Sequence, residues 1–207
     1  RSPISIIRWY IELLSDKSVG TLNDKQKEYL SEIDKASERL NEVIDSSFIL
    51  LQIESGKLSL KTQTTNIKNL IDQVIAKQQF SIERHKLYLQ KIYPKDKVLI
   101  VQADPKILCI ILQNLVANAI KYTPENGNIS IKVDTDSKNL LLEIQDDGYG
   151  IPKEKKSKIL ANSVSSKDMG FSLYFVKRIV GKMRGKISFE SQENKGTTFY
   201  ISLPLGS

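Results

Sequence analysis

Asn114, Asn118 and Lys121 fall at i, i+4 and i+7 within IILQNLVANAIKYT (residues 110–123), a stretch otherwise dominated by apolar helix formers. That spacing places the three side chains on one stripe of an α-helix. A buried amide without a partner costs about 1–3 kcal/mol, so two stacked asparagines on an apolar helix call for something to bind. A carboxamide oxygen suits a hard cation, and an amide and a lysine together suit phosphate oxygens. A polar edge that simply faces water would give the same spacing, and the spacing alone does not separate the two.

A second group follows about thirty residues later. Asp146, Gly148 and Gly150 stand in IQDDGYGIP, after an apolar run from Leu140 to Ile144 that reads as a strand. An aspartate can accept a hydrogen bond from an exocyclic amine, and two glycines one residue apart let a backbone pass close to a flat ligand. Alone this pattern is more often a turn. Taken with NLVANAIKYT it resembles the N box and G1 box of the sensor histidine kinases, members of an ATP-binding superfamily shared with gyrase-type ATPases and the Hsp90 chaperone. The resemblance continues through KGTTFYISLP near the C-terminus and through the first fifty-odd residues, so it covers nearly the whole chain.

The resemblance implies roles for particular residues. Asn118 would coordinate the Mg²⁺ that bridges ATP phosphates, with Asn114 beside it. Lys121 would meet phosphate oxygens and Tyr122 would lie over the ligand. Asp146 would accept from the adenine amino group, while Gly148 and Gly150 would let the backbone approach the base. Lys167, Gly170 and Thr198 complete the implied nucleotide contacts, and Asp147 stands where the family often has asparagine. In the first helix Arg1-Ser2-Pro3-Ile4 matches the second half of the family's phosphoacceptor motif. The acceptor histidine and its acidic neighbour would then precede Arg1, and Ser2 falls where a Thr or Asn is associated with phosphatase activity.

The lid departs from the family pattern. No phenylalanine lies between Pro152 and Gly170, and the G2 segment reads Asp168-Met-Gly170-Phe-Ser172-Leu173, keeping only its middle glycine. Asp168 would carry a negative charge toward a polyphosphate, a repulsion on the order of 3 kcal/mol at roughly 6 Å and an effective dielectric near 20. Ser172 lacks the freedom of glycine to take positive φ. The family's His-Gly-Gly after the next helix reads Met183-Arg184-Gly185.

These residues need a scaffold, and the periodicities supply one. Residues 1–17 and 24–55 carry apolar positions at helical period, joined by the polar turn 18–23. A two-helix hairpin of this length cannot bury its stripe alone, so a four-helix bundle on dimerisation is expected. Gly56 gives a helix C-terminal signal, which sets a dimerisation and phosphotransfer hairpin at 1–56 and an ATP-binding domain at 57–205. In the second part, strands are predicted at 58–61, 87–92, 98–102, 128–133, 140–144, 186–191 and 197–203. Helices are predicted at 67–80, 105–122 and 171–183. The fold class is α+β, a dimeric helical hairpin followed by an α/β sandwich.

Composition excludes some classes. The 207 residues carry a net charge of +7 with 27% charged residues, the lysines scattered among acids with no basic, aromatic-interleaved face for nucleic acid. The single cysteine, Cys109, rules out an internal disulfide and reads as a small core residue. No apolar run reaches 18 residues and no signal peptide is visible, so this fragment is expected to make no membrane contact and to work in the cytoplasm, whatever anchors lie upstream. The only histidine, His85, lacks the acceptor motif and is expected at the surface. Two functions remain open. One is a kinase core that binds ATP and Mg²⁺, releases ADP, phosphorylates a histidine on the bundle of its homodimer and passes the phosphoryl group to a response regulator receiver domain. The other is a pseudokinase, phosphatase or dimeric binding module with a degenerate lid.

Overall fold

The computed structural model describes residues 3–16, 19–95, 97–160 and 171–205. The chain divides into two units, Arg1–Leu58 and Ser59–Ser207.

The first unit is a helical hairpin of α1 (Pro3–Ser15) and α2 (Asp24–Glu54). Both ends of α2 are closed by side-chain or turn chemistry. At the start, Asn23 Oδ1 accepts from Gln26 N and Gln26 Oε1 accepts from Asn23 N, each at 2.9 Å, a reciprocal capping box. At the end, Gly56 takes φ +68°. The Gly56 and Lys57 amides then donate to the Ile53 and Gln52 carbonyls, the Schellman arrangement that a left-handed glycine permits. Arg8 on α1 lies 3.6 Å from Asp34 and from Glu38 on α2. The hairpin buries little. Among its described residues Ile4 is the only buried large apolar side chain, whereas Ile7, Trp9, Leu14, Ile33, Leu40, Val43, Phe48 and Leu51 are exposed.

The second unit lays helices over one face of a mixed sheet. Its strands are β1 (Gln63–Asn66), β2 (Tyr88–Ile92), β3 (Ile100–Ala103), β4 (Asn128–Thr135), β5 (Asn139–Asp146), β6 (Lys186–Gln192) and β7 (Gly196–Pro204). Its helices are α3 (Ile67–Arg84), α4 (Pro105–Tyr122), α5 (Lys153–Leu160) and α6 (Phe171–Lys182). Five strands run in the order β2-β4-β5-β7-β6, with β2 parallel to β4 and the other pairs antiparallel. Alternate residues of β5 (Leu140, Leu142, Ile144, Asp146) and of β7 (Thr197, Phe199, Ile201, Leu203) are buried, as a sheet covered on one face requires. α4 is buried along most of its length and packs on α3, α6 and β5, so it forms the middle of the helical layer.

Several expectations are corrected. Residues 58–61 are not a strand, because the Lys61 amide is committed to the Asp104 carboxylate (2.9 Å) instead of a ladder. The strand starts at Gln63 and pairs with β3 in a separate two-stranded sheet. α3 runs a turn beyond Phe80 because Ile82 continues its buried stripe, and His85 caps it. The helix α5, eight residues with Glu154 in its first turn, has too weak an apolar period to be read from sequence. His85 is exposed, with Nδ1 2.9 Å from the Ser81 carbonyl, and Cys109 is half-buried, where burial pushes its thiol pKa up. Among the described residues, no helix is long and apolar enough to cross a membrane.

The two caps should differ in what they contribute. Asp104 is buried and its carboxylate accepts from Lys61, Lys106 and Ile107 amides, so Asp104→Ala should lower stability by about 2–3 kcal/mol. Asn23→Ala, at an exposed cap, should cost about 1 kcal/mol. Urea unfolding at fixed protein concentration measures both.

Candidate functional site

β5 delivers Asp146 to the helix-covered face, and the chain then turns through Asp147-Gly148-Tyr149-Gly150. This loop is wedged between the end of α4 and the β6–β7 hairpin. Tyr149 N donates to the Tyr122 carbonyl (3.1 Å) and Asn194 N donates to the Tyr149 carbonyl (2.7 Å). A Cβ on Gly148 would meet the Tyr122 carbonyl oxygen at 2.2 Å. Gly150 takes φ +66°, and a Cβ there would meet the Gln192 carbonyl oxygen at 2.1 Å. Both glycines are therefore required by the chain's own backbone, not only by the approach of a ligand. Asp147 is structural too. Its two carboxylate oxygens accept from Asn128 N and Nδ2, each at 2.7 Å, and tie the loop to the start of β4.

Asp146 is held asymmetrically. Oδ1 accepts from Gly148 N (3.0 Å) and Thr197 N (3.2 Å), while Oδ2 has no hydrogen-bond partner among the described residues. Burial raises its pKa, offset by the Gly148 and Thr197 amides and reinforced by the Asp147 charge. A buried carboxylate with one oxygen anchored and the other unengaged is suited to accept from an amine. Ser191 steadies the surroundings: its Oγ accepts from Ile151 N (2.8 Å) and lies 3.0 Å from Thr197 Oγ1 and from the Gly196 carbonyl. Lys156 on α5 donates to the Ser191 carbonyl, which brings the first described helix of the lid against the same hairpin.

Thr197 is the threonine at Asp146, and the sequence reading missed it. Thr198, named instead, falls on the other face of β7, the face of Tyr200. Strand alternation with Asp146 opposite Thr197 in the β5–β7 register is the signal that separates the two threonines.

On α4 the asparagine stripe faces α6. Asn114 Nδ2 donates to the Ile110 carbonyl (2.8 Å), Ser172 Oγ donates to Asn114 Oδ1 (2.7 Å), and Asn118 Nδ2 lies 3.4 Å from Ser172 Oγ. Ser172 sits in the first turn of α6 and is absent from the positive-φ residues, so the expectation of strain from a missing glycine is corrected. Lys121 stacks its ammonium 5.0 Å from the ring centroid of Tyr122, both exposed. Ser2, Lys167, Asp168 and Gly170 lie outside the described residues.

The residues present fit an adenine nucleotide with a cation. Asp146 Oδ2 is an unengaged acceptor, Lys121 an exposed cation, and Asn118 Oδ1 a carbonyl oxygen without a partner among the described residues. Among those residues no three His, Cys, Asp or Glu side chains gather to hold a metal by themselves. Carboxamide and ligand oxygens would have to do so.

Residues 103–207 match the family described as Histidine kinase-, DNA gyrase B-, and HSP90-like ATPase, so the second unit is a domain of that ATPase class. Residues 1–56 match the His Kinase A (phospho-acceptor) domain. The chain belongs to the two-component sensor histidine kinases. It is similar to the circadian input-output histidine kinase CikA of Synechococcus elongatus, at 28% identity over 99% of this chain and 28% of that protein. It is similar also to the signal transduction histidine-protein kinase BarA of Escherichia coli, at 31% identity over 89% of this chain and 21% of that protein. The chain thus spans less than a third of the length of these curated relatives. Among solved structures, the histidine kinase ThkA in complex with the response regulator protein TrrA superposes with a TM-score of 0.65 at 26% identity, over 99% of this chain and 58% of that one.

The raised pKa of Asp146 has a signed consequence. Below the ordinary aspartate value both folded and unfolded chains carry the proton. As pH climbs from there to the raised folded value, the unfolded chain releases its proton first and the folded state loses stability. Asp146→Asn removes that loss. The variant's stability relative to the unaltered chain should rise as pH climbs above the ordinary aspartate value and level once the folded carboxyl has ionised, measured by urea unfolding across the range.

Proposed function

We propose that this chain is the dimerising and ATP-binding core of a sensor histidine kinase, with residues 1–56 forming the helical hairpin and 57–205 the nucleotide-binding domain. ATP bound with a divalent cation supplies the phosphoryl group. It passes to a nitrogen of a histidine on the hairpin, leaving ADP, and then to an aspartate of a response regulator receiver domain. His85 is not given that role: it caps α3, outside residues 1–56 that match the phospho-acceptor domain. That ThkA is solved with a response regulator supports the partner class. An ATP-consuming core of this kind works in the cytoplasm.

The observation that carries the reading is the half-anchored carboxylate of Asp146. In this role Asp146 Oδ2 accepts from the adenine amino group, Tyr122 covers the base, Lys121 neutralises phosphate oxygens and Asn118 offers its carbonyl to the cation. Lys167 and Gly170 enter on the family resemblance alone. The lid keeps its tether to the sheet through Lys156 and Ser191, and Ser172 sits unstrained in α6, which favours a working site over a degenerate one.

Asp146→Asn tests the reading with the fold preserved. Two amide donors, Gly148 and Thr197, fix the oxygen of the new carboxamide inward, so its NH₂ replaces the acceptor that faces the adenine. Calorimetry at neutral pH should show ADP binding weakened by roughly 1.5–3 kcal/mol. Unchanged affinity would remove Asp146 from adenine recognition.

The hairpin's exposed apolar face supports dimerisation. Replacing Leu40 and Val43, both about half exposed at 50% and 49%, with glutamate should leave a monomer by light scattering at tens of micromolar while residues 59–205 stay folded. A variant that remains dimeric would place the interface on another face of the hairpin.

A further inference from the structure

Asn114 and Asn118 are one turn apart on the same stripe, yet their hydrogen bonds make them unequal. The assignment starts from an atom with a single role. The Ile110 carbonyl oxygen can only accept, so the Asn114 group 2.8 Å from it is its NH₂. Asn114 Oδ1 is thereby turned to α6, where Ser172 Oγ lies at 2.7 Å and must be the donor. A hydroxyl has one proton. With that proton given to Asn114, the Ser172 oxygen can only accept from the third member, and the Asn118 group 3.4 Å away is again its NH₂. The polarity set by one backbone carbonyl runs through three side chains, and its end result is that Asn118 Oδ1 is left unengaged among the described residues.

We propose that Ser172 is a positioning residue for the nucleotide's divalent cation. Its hydroxyl bridges α4 and α6 and holds the Asn118 carboxamide in the orientation that offers oxygen, not NH₂, to the metal. Asn114, whose own oxygen is taken by Ser172, is the brace and not a second ligand. The proposal rests on the nucleotide reading above. It reverses the expectation from sequence, in which serine in place of glycine at 172 counted as damage to the lid. Glycine or alanine there would leave the Asn118 amide free to turn over, and an NH₂ aimed at a cation is repulsive.

The test is calorimetry of ADP and ATP, with and without Mg²⁺, on the unaltered chain and on Ser172→Ala, Ser172→Gly and Ser172→Thr. The quantity read is the ratio of affinities with and without the metal. It should fall roughly three- to tenfold in the alanine and glycine variants, the range for one lost hydrogen bond. The metal-free ADP affinity should stay within about twofold, since Asp146 is untouched, and threonine, which keeps the hydroxyl, should retain the ratio. An unchanged ratio in Ser172→Ala and Ser172→Gly, or a gain in ATP affinity in Ser172→Gly, would overturn the proposal. So would an equal loss with and without Mg²⁺, which would show that Ser172 only packs α6. An unaltered chain that binds neither nucleotide under either condition would instead fail the nucleotide reading, and this proposal with it. Binding that is Mg²⁺-dependent but indifferent to Ser172 would fail the bridge alone.

Discussion

Two backbone amides, from Gly148 and Thr197, converge on one oxygen of Asp146, and much of the second unit is arranged to keep them there. The Thr197 amide comes from β7, whose register against β5 sets Thr197 directly opposite Asp146. The Gly148 amide comes from the loop that follows, which must fold back tightly enough to face its own aspartate. That is achieved by clamping the loop between the Tyr122 carbonyl at the end of α4 and the β6–β7 hairpin. Sheet register, helix length and hairpin position are thus fixed together by a single carboxylate. The same carboxylate's other oxygen has no hydrogen-bond partner among the described residues.

The parts of this scheme that were legible in the sequence are those with strong local punctuation. α4 begins and ends where the sequence places it, because Asp104 caps it, Pro105 opens it and Thr123 leaves the helical conformation at its end. The central strand β5 follows from the apolar run Leu140 to Ile144, and the hairpin from two long apolar periods with a polar turn between them and a glycine at its close. What failed was non-local. Residues 58–61 look like a strand until the Lys61 amide is seen to serve a carboxylate 43 positions away. Choosing Thr197 over Thr198 requires a register with a strand fifty residues upstream. Ser172 could not be valued correctly from its own neighbourhood, since its hydrogen-bond partners are 54 and 58 residues distant.

The two units solve the problem of apolar surface in opposite ways. The second sandwiches α4 between its neighbours and the sheet, with Leu112, Leu115, Val116, Phe175 and Ile144 all but sealed from solvent. Each such side chain contributes about 1.5–3 kcal/mol of burial within one chain. The hairpin keeps Phe48 and Leu51 exposed at 60% and 64%, so within one chain it gains little of that contribution.

The glycines of the loop have a further meaning. Gly148 and Gly150 are wedged against carbonyl oxygens of Tyr122 and Gln192, so a side chain at either position would collide with the protein whether or not a nucleotide ever enters. A descendant that abandoned ATP altogether would still be obliged to keep both in order to fold. The glycine pair is thus an heirloom of the architecture, and its presence in a distant relative testifies to shared ancestry more than to surviving chemistry. Evidence that the trade is still practised has to be sought in atoms the fold itself leaves idle, such as Asp146 Oδ2.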